Sequence, residues 1–310
     1  MDLAQLRVAD ELDDGGQAKV FALADDASLV LKRYHDPDHS GLQPGTLHIL
    51  IGLRQGLRAM GWGVDAWAAW PIEPVEDRGR LVGFLMPRVS GEFMLVVGGK
   101  ARLANLSYLA QEPRPIWGDV DLPAQEGRLR VLVSLAGIIQ ALHDRDLVIG
   151  DLSFGNVLWT AGPPARVFLL DCDGIRPVNG LPVLPQADTL DWADPLAQRG
   201  SPPDKDRDRY KLALAVLRVL GRSLESYPTA DSDHDLRDTP PEVAVSVNEL
   251  LKRAAGPIGA RPTAGEWRLA LEGRRSVGVV APTPRPANSG PPPKPELLVP
   301  KRTERQWRDV

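Results

Sequence analysis

The chain has 310 residues, of which 43% are hydrophobic and 25% charged, the balance of a folded globular protein and not of a collagen, a wholly disordered chain or a disulfide scaffold. Its net charge of −4 argues against nucleic acid as a partner. Cys172 is the single cysteine, which excludes an internal disulfide and a cysteine-based zinc site and predicts a reducing, cytoplasmic compartment.

At about 150 residues per domain, the length predicts two domains, or one bilobal domain with tails. The opening residues are acidic and lack the basic and apolar regions of a signal peptide. No run reaches the ~18 uninterrupted apolar residues of a membrane span, so none is expected. Residues 18–23 (AKVFAL) and 29–34 (LVLKRY) flank a DDAS turn and predict a β-hairpin. Residues 46–60 place Leu47, Leu50, Ile51 and Leu57 at helical spacing, a pattern that Gly52 and Gly56 weaken. Residues 69–89 read as two strands about an Asp-Arg-Gly turn, so a β-rich segment with one helix is predicted to end near Val89. Helix is predicted to dominate beyond it. Residues 126–143 set Leu129, Leu132, Leu135, Ile139 and Leu142 on one stripe. Residues 148–159 and 166–174 read as loop, strand, turn and strand. Residues 209–220 are apolar nearly all round, which predicts a helix buried on most sides, with Gly221 as its C-cap. The chain then turns proline-rich, and residues 274–310 are predicted to be a disordered or polyproline-like tail that docks a partner.

Two segments carry the chemistry. Residues 148–156 (VIGDLSFGN) hold Asp151 and Asn156 on a loop after a helix, and residues 168–174 (FLLDCDG) end an apolar strand at Asp171. Phosphoryl transfer needs a carboxylate to orient the attacking hydroxyl and oxygen ligands to hold Mg²⁺ on the phosphates. Asp151, Asn156 and Asp171 are of those types. Both aspartates stand between apolar segments, where a buried carboxylate needs a partner such as a metal. Plainer readings exist for other residues: Lys32 as an exposed strand lysine, Gly15 and Gly16 as an ordinary hairpin turn, Asp208 as a helix N-cap, Arg261 as a surface arginine. The histidines show no metal-ligand spacing.

In their order along the chain, these segments resemble the protein-kinase superfamily. Residues 12–20 (LDDGGQAKV) resemble a degraded Gly-rich loop, with Gly15 and Val20 on its template and Gly16 beside them. Residues 30–32 resemble the strand of the phosphate-binding lysine. Asp151 and Asn156 match the catalytic aspartate and metal-binding asparagine, and Asp171 the metal-binding aspartate of D-F-G. Asp208 resembles the start of the buried helix that supports the catalytic loop, and Arg261, before the helix carrying Trp267, the late arginine of that superfamily. The resemblance covers about residues 8–273 and is closest to divergent bacterial members of the eukaryotic-type Ser/Thr protein kinases with a D-x-D-G/S element.

That resemblance implies an α+β bilobal fold: a small antiparallel β lobe with one helix over about 8–86, a hinge at 86–89, and a larger mainly helical lobe over about 90–273. It implies an enzyme that uses ATP and Mg²⁺ (or Mn²⁺) to phosphorylate Ser/Thr hydroxyls of an unidentified protein in bacterial signalling. Lys32 would hold the α/β-phosphates and Asp151 would orient the hydroxyl. Gly15, Gly16, Val20, Met86 and Val89 would line the nucleotide, and Asn156 and Asp171 would bind the metal. Four departures stand out. No glutamate occurs between Glu11 and Glu73, so the helix offers Lys32 none, and His48 or a polar neighbour takes the place. The usual H-R-D reads Ile149-Gly150-Asp151. Ser153 stands where a lysine is usual. The A-P-E-like triplet reads Asp194-Pro195-Leu196, leaving Asp194 as substitute partner for Arg261. These departures motivate a nucleotide-binding pseudokinase scaffold as the alternative, and the G-D-L-x-x-x-N loop motivates a small-molecule phosphotransferase of the aminoglycoside type. Thr189 is the one hydroxyl residue between Asp171 and Pro195. With Gly150 in the arginine's place, only Arg176 and Arg199 stand by to pair a phosphate. Activity is therefore expected not to need Thr189 phosphorylation, and Thr189→Ala to keep most of the rate.

Overall fold

The computed structural model describes residues 1–185, 189–198 and 200–274. Arg199 and the predicted tail beyond Arg274 lie outside them.

The first part of the chain is a five-stranded antiparallel sheet with one helix. Its elements are β1 (Val8–Asp14), β2 (Ala18–Leu23), β3 (Leu29–Tyr34), α1 (Pro44–Ala59), β4 (Glu73–Asp77) and β5 (Arg80–Pro87), and the strand order is β1-β2-β3-β5-β4. The predicted hairpin is β2–β3, its turn fixed by the Asp26 carboxylate, which accepts from the Ser28 amide at 2.8 Å and hydroxyl at 2.6 Å. The β4–β5 turn takes positive φ at Arg78 (53°) and Gly79 (78°), the twist that two-residue hairpin turns require.

Side chains alternate across a strand, and β3 uses both faces. Leu31 packs with Leu23, Val75, Val82 and Leu85 in a small outer cluster. Val30 and Tyr34 face the main core with Phe84, Met86 and the Leu47–Leu50–Leu57 face of α1. Lys32 lies between Val30 and Tyr34 on that inward face and is itself buried. The exposed-strand reading of Lys32 therefore fails. On β5, opposite Arg33, a Cβ built on Gly83 would lie 2.1 Å from the Lys32 carbonyl oxygen, so only glycine lets β5 approach β3 there.

The two sheet edges are treated differently. Met1 covers the outer edge of β4: its carbonyl accepts from the Glu76 amide at 2.9 Å, and its ammonium donates to the Pro74 carbonyl at 2.9 Å. β1 is the open edge, and all seven of its residues are exposed.

Beyond Val89 come the hairpin β6 (Met94–Val97) and β7 (Lys100–Leu103), α2 (Gln125–His143), β8 (Leu147–Val148), β9 (Val157–Thr160), β10 (Arg166–Leu169), β11 (Arg176–Pro177), α3 (Lys205–Gly221), α4 (Pro241–Ala254) and α5 (Ala264–Leu271). β9 pairs with β10 and β11 with β8, all antiparallel. The predicted stripe of α2 is buried and packs against α3 and α5. α3 is buried along nearly all its length, as its composition predicts. Gly221 is not its cap. The helix runs through Gly221, and Arg222 takes the left-handed position (φ 51°). A non-glycine residue is held there because Glu112 and Asp238 grip its guanidinium at 3.0 and 2.7 Å. The fold is thus mixed α+β, with antiparallel sheets and five α-helices among the described residues. None of these helices is long and apolar enough to cross a membrane.

Candidate active site

Helix α3 builds the loop that carries Asp151. Asp208, fully buried, accepts the Ile149 amide on Oδ2 at 2.8 Å and the Gly150 amide on Oδ1 at 2.9 Å, with His143 Nε2 3.1 Å from Oδ2. Asp208 is therefore more than an N-cap, a role Asp204 fills. One turn on, Lys211 Nζ donates to the Gly150 carbonyl at 2.8 Å and lies 3.9 Å from Asp151 Oδ1. Buried Lys211 thus puts a positive charge beside Asp151, on the loop in which Ser153 replaces the usual lysine. Sequence reasoning did not single out Lys211, although its place in the nearly all-apolar run 209–220, one turn after Asp208, is a signal of burial.

Gly150 has φ +83°, and a Cβ there would lie 2.6 Å from Arg176 Nη1. Arg176 is buried and donates to the Gly174 carbonyl at 2.7 Å. Burial holds its pKa below the ordinary arginine value, with the Arg207 charge adding and Asp208 opposing. The Arg176 guanidinium thus fills the space beside Gly150 and is held inside the fold, in keeping with an activity that does not need a phosphate on Thr189. Gly150→Ala should combine left-handed strain with this clash and cost about 2 kcal/mol, seen as a fall of several degrees in Tm by differential scanning fluorimetry.

Both oxygens of the Asp151 carboxylate are engaged. Oδ1 accepts the Thr189 hydroxyl at 2.9 Å and Oδ2 the Asn156 amide at 3.1 Å, and the same amide nitrogen donates to the Asp151 carbonyl at 2.8 Å. The Asn156 carbonyl accepts from the Leu170 amide at 2.9 Å, which sets Asn156 next to Asp171. Asp171 itself takes φ 51° and opens a short 3-10 turn over Cys172–Gly174. The left-handed bend swings the chain after β10, so that Asp171 stays half-exposed while Asp173 turns inward.

Lys32 Nζ lies 3.0 Å from Asp171 Oδ1 and 2.7 Å from Asp173 Oδ1. Burial works to lower the pKa of this lysine, but the charges and hydrogen bonds of Asp173 and Asp171 outweigh it and push it up, so Lys32 is cationic. His48 is not its partner. It is exposed and bonds the Pro44 carbonyl at 2.8 Å, because α1 turns its leucines inward. Asp194, by contrast, is the partner of Arg261 as the sequence suggests, in a buried two-point pair at 2.5 and 2.8 Å.

The remaining predicted residues frame the inward face of the sheet. Val20 stands opposite Lys32, Met86 opposite Val30, and half-buried Val89 follows β5. Gly15 and Gly16 form the exposed β1–β2 turn, where His35 Nε2 lies 2.8 Å from the Gly15 carbonyl and Gln17 donates to the Pro185 carbonyl at 2.6 Å.

Similarity to other proteins agrees with this arrangement in kind. The chain is 24% identical over 309 residues to Protein kinase YegI of Escherichia coli K12, a match covering 86% of this chain and 44% of the relative. It is 24% identical over 306 residues to Protein kinase YegI of Escherichia coli O157:H7, covering 84% and 44%. The relationship is kinase-like, at low identity. The chain spans less than half the length of these relatives, and no protein-family model matches it.

Proposed function

We propose that this chain is an ATP- and Mg²⁺-dependent protein kinase that transfers phosphate to Ser/Thr hydroxyls of a protein substrate in bacterial signalling. One observation carries the reading: Lys32 meets Asp171 across 139 residues of sequence, and Asp171 is seated next to the Asp151–Asn156 pair. In a bilobal division, the sheet with α1 (about 8–86) and the helical remainder (about 90–273) would flank the nucleotide, with Val20, Met86 and Val89 against the adenine and the Gly15–Gly16 turn over the phosphates.

The donor set suits a hard cation. Asp171 and Asn156 both carry oxygen donors, and the Asn156 carbonyl accepts from the Leu170 amide, one residue before Asp171; among the described residues no cluster of three or more His, Cys, Asp or Glu forms a closed metal cage. Mg²⁺ keeps waters and phosphate oxygens in its shell and needs only one or two protein ligands. Asp171 and Asn156 would hold it, and the ion would neutralise phosphate charge. Lys32, kept cationic by its carboxylates, would hold the α/β-phosphates. Asp151, restrained by Thr189 and Asn156, would accept a hydrogen bond from the attacking hydroxyl and take its proton. Asp208 and Lys211 would fix the loop on which Asp151 moves least. The buried Arg261–Asp194 pair and the Asp208 contacts favour a protein substrate over an aminoglycoside-like one, by analogy of the superfamily.

Incubating the protein with Mg²⁺, γ-labelled ATP and casein as a generic acceptor should give acid-stable phosphoserine or phosphothreonine. Nucleotide binding without any transfer would favour the scaffold reading.

The Thr189 geometry changes one expectation. Since its hydroxyl holds Asp151, Thr189→Ala should lower kcat about tenfold, the worth of a hydrogen bond to a charged group. Thr189→Ser should restore most of the rate and Thr189→Glu none, because a second carboxylate would repel Asp151. Equal rates in wild type and Thr189→Ala would show the hydroxyl to be idle.

A further inference from the structure

We infer that Asp173, and no residue of α1, is the positioning partner that holds Lys32 in place. The inference rests on Lys32 being the phosphate-binding lysine of the proposed function, and assigns the residue that keeps it extended.

α1 has nothing to offer Lys32. Its sequence, PGTLHILIGLRQGLRA, contains no acid, and the side chains it buries are Leu47, Leu50, Arg54 and Leu57. Arg54 is occupied by Asp65, in a two-point pair at 2.8 and 2.7 Å. The two carboxylates that do reach Lys32 are unequal. Asp171 is 51% exposed at 3.0 Å, whereas Asp173 is 5% exposed at 2.7 Å. The drier, shorter contact is the stronger one, since water competes less for it. Lys32 thus faces one more carboxylate than it can neutralise. A cation bound at Asp171 would draw that carboxylate away, and Asp173 would keep the lysine where it is.

Asp173 is itself held on several sides. It sits in the Cys172–Gly174 turn, closed by the Gly174 amide on the Asp171 carbonyl at 3.0 Å. Its own carbonyl accepts the Val183 amide at 3.2 Å. The same segment then reaches α1: the Val183 carbonyl accepts the Gln43 amide at 2.8 Å, and the Leu181 carbonyl the Thr46 hydroxyl at 3.1 Å. The start of α1 is therefore tied to Asp173 through backbone, and Lys32 to Asp173 through charge. The link between helix and lysine runs through this turn and not through a helix carboxylate.

The test reads the lysine and the nucleotide separately, in the full chain. Without nucleotide, acetylation of Lys32 by acetic anhydride is followed by mass spectrometry. Asp173→Asn should speed it about tenfold, the loss of one charge-assisted hydrogen bond, and Asp171→Asn should change it much less. In the second arm, binding of methylanthraniloyl-ATP with Mg²⁺ should weaken about tenfold in Asp173→Asn. Lys32→Met combined with Asp173→Asn should bind no worse than Lys32→Met alone, because the two residues act as one unit. Should Asp173→Asn fail to fold, Asp173→Glu, which keeps the charge but displaces it, should show the same changes at smaller size. Unchanged Lys32 acetylation in the Asp173 variants, or fully additive losses in the double variant, would overturn the assignment. Faster acetylation in a protein that binds no nucleotide would uphold the pairing and sink the kinase reading.

Discussion

Asp151→Asn should lower Mg²⁺-ATP-dependent phosphate transfer about a thousandfold, within the usual worth of a positioned general base, while leaving the fold in place. The carboxamide keeps the size of the side chain and one oxygen to accept from Thr189 or Asn156, the two groups that bond the carboxylate at 2.9 and 3.1 Å. What it loses is the basic oxygen and the charge opposite Lys211. The side chain is only partly buried, 21% exposed, so its loss should cost little stability. Initial rates with labelled ATP and casein, beside the melting curve of each protein, check both halves. A variant with wild-type turnover would leave the proposed function without its base. A variant that melts far earlier would assign Asp151 a structural role.

The largest effect on stability is expected at Arg261. Its guanidinium grips both oxygens of buried Asp194, stands 3.2 Å from Asp206 Oδ2 and lies 4.9 Å from the centroid of the Tyr210 ring. Arg261→Ala would strand the Asp194 carboxylate in a site closed to water, at a cost of about 3–5 kcal/mol. Urea unfolding should show this as a fall in midpoint with an unchanged slope. The pair also sets a sign for pH. Burial alone would raise the Asp194 pKa, but the hydrogen bonds from Arg261 and the Leu196 amide, with the Arg261 and Arg207 charges, outweigh it and hold it below the ordinary carboxylate value of 3.8. A carboxyl depressed in the folded state stabilises fully above its unfolded pKa. The contribution of Asp194 should therefore stay constant from neutral pH down to about that ordinary value, then disappear as the pH falls through the lowered one. Arg261→Ala should remove this acid limb from the urea midpoint measured against pH, and an unaltered limb would place its origin elsewhere.

Much of this was legible in the sequence where local pattern and structure agree. Two alternating runs about a DDAS turn foretold β2 and β3, and a stripe of leucines foretold α2. The sequence position of Asp194 pointed to its partner because the substitute was also a carboxylate. The hairpin β6–β7 lies where helix was expected to dominate, yet the run 94–103 (MLVVGGKARL) carries its signal, two glycines between apolar and β-prone residues, and Gly98 and Gly99 both take positive φ. Other features were hidden for physical reasons. Asp173 could not be told from Asp171 by spacing. A single left-handed residue after β10 decides which carboxylate turns inward, and that conformation is not written in the residue type, since aspartate adopts it only where its surroundings demand. The burial of Arg176 leaves no mark in one dimension, because it depends on a backbone carbonyl, that of Gly174, and on the space left beside Gly150.

The open edge at β1 has a consequence for how molecules meet one another. An unpaired strand is a template onto which a second chain can zip, and this one is fully exposed, with Val8 and Leu12 among its outward residues. Asp10, Glu11, Asp13 and Asp14 interrupt it. Two copies approaching edge to edge would bring like charges into register, only partly relieved by Lys19, which pairs with Glu11 and Asp14. The barrier to such zipping is electrostatic and lies at the surface, so dissolved salt screens it. Concentrated stocks should stay clearest in dilute buffer and turn hazy as ionic strength rises, the reverse of the salting-in common among globular proteins.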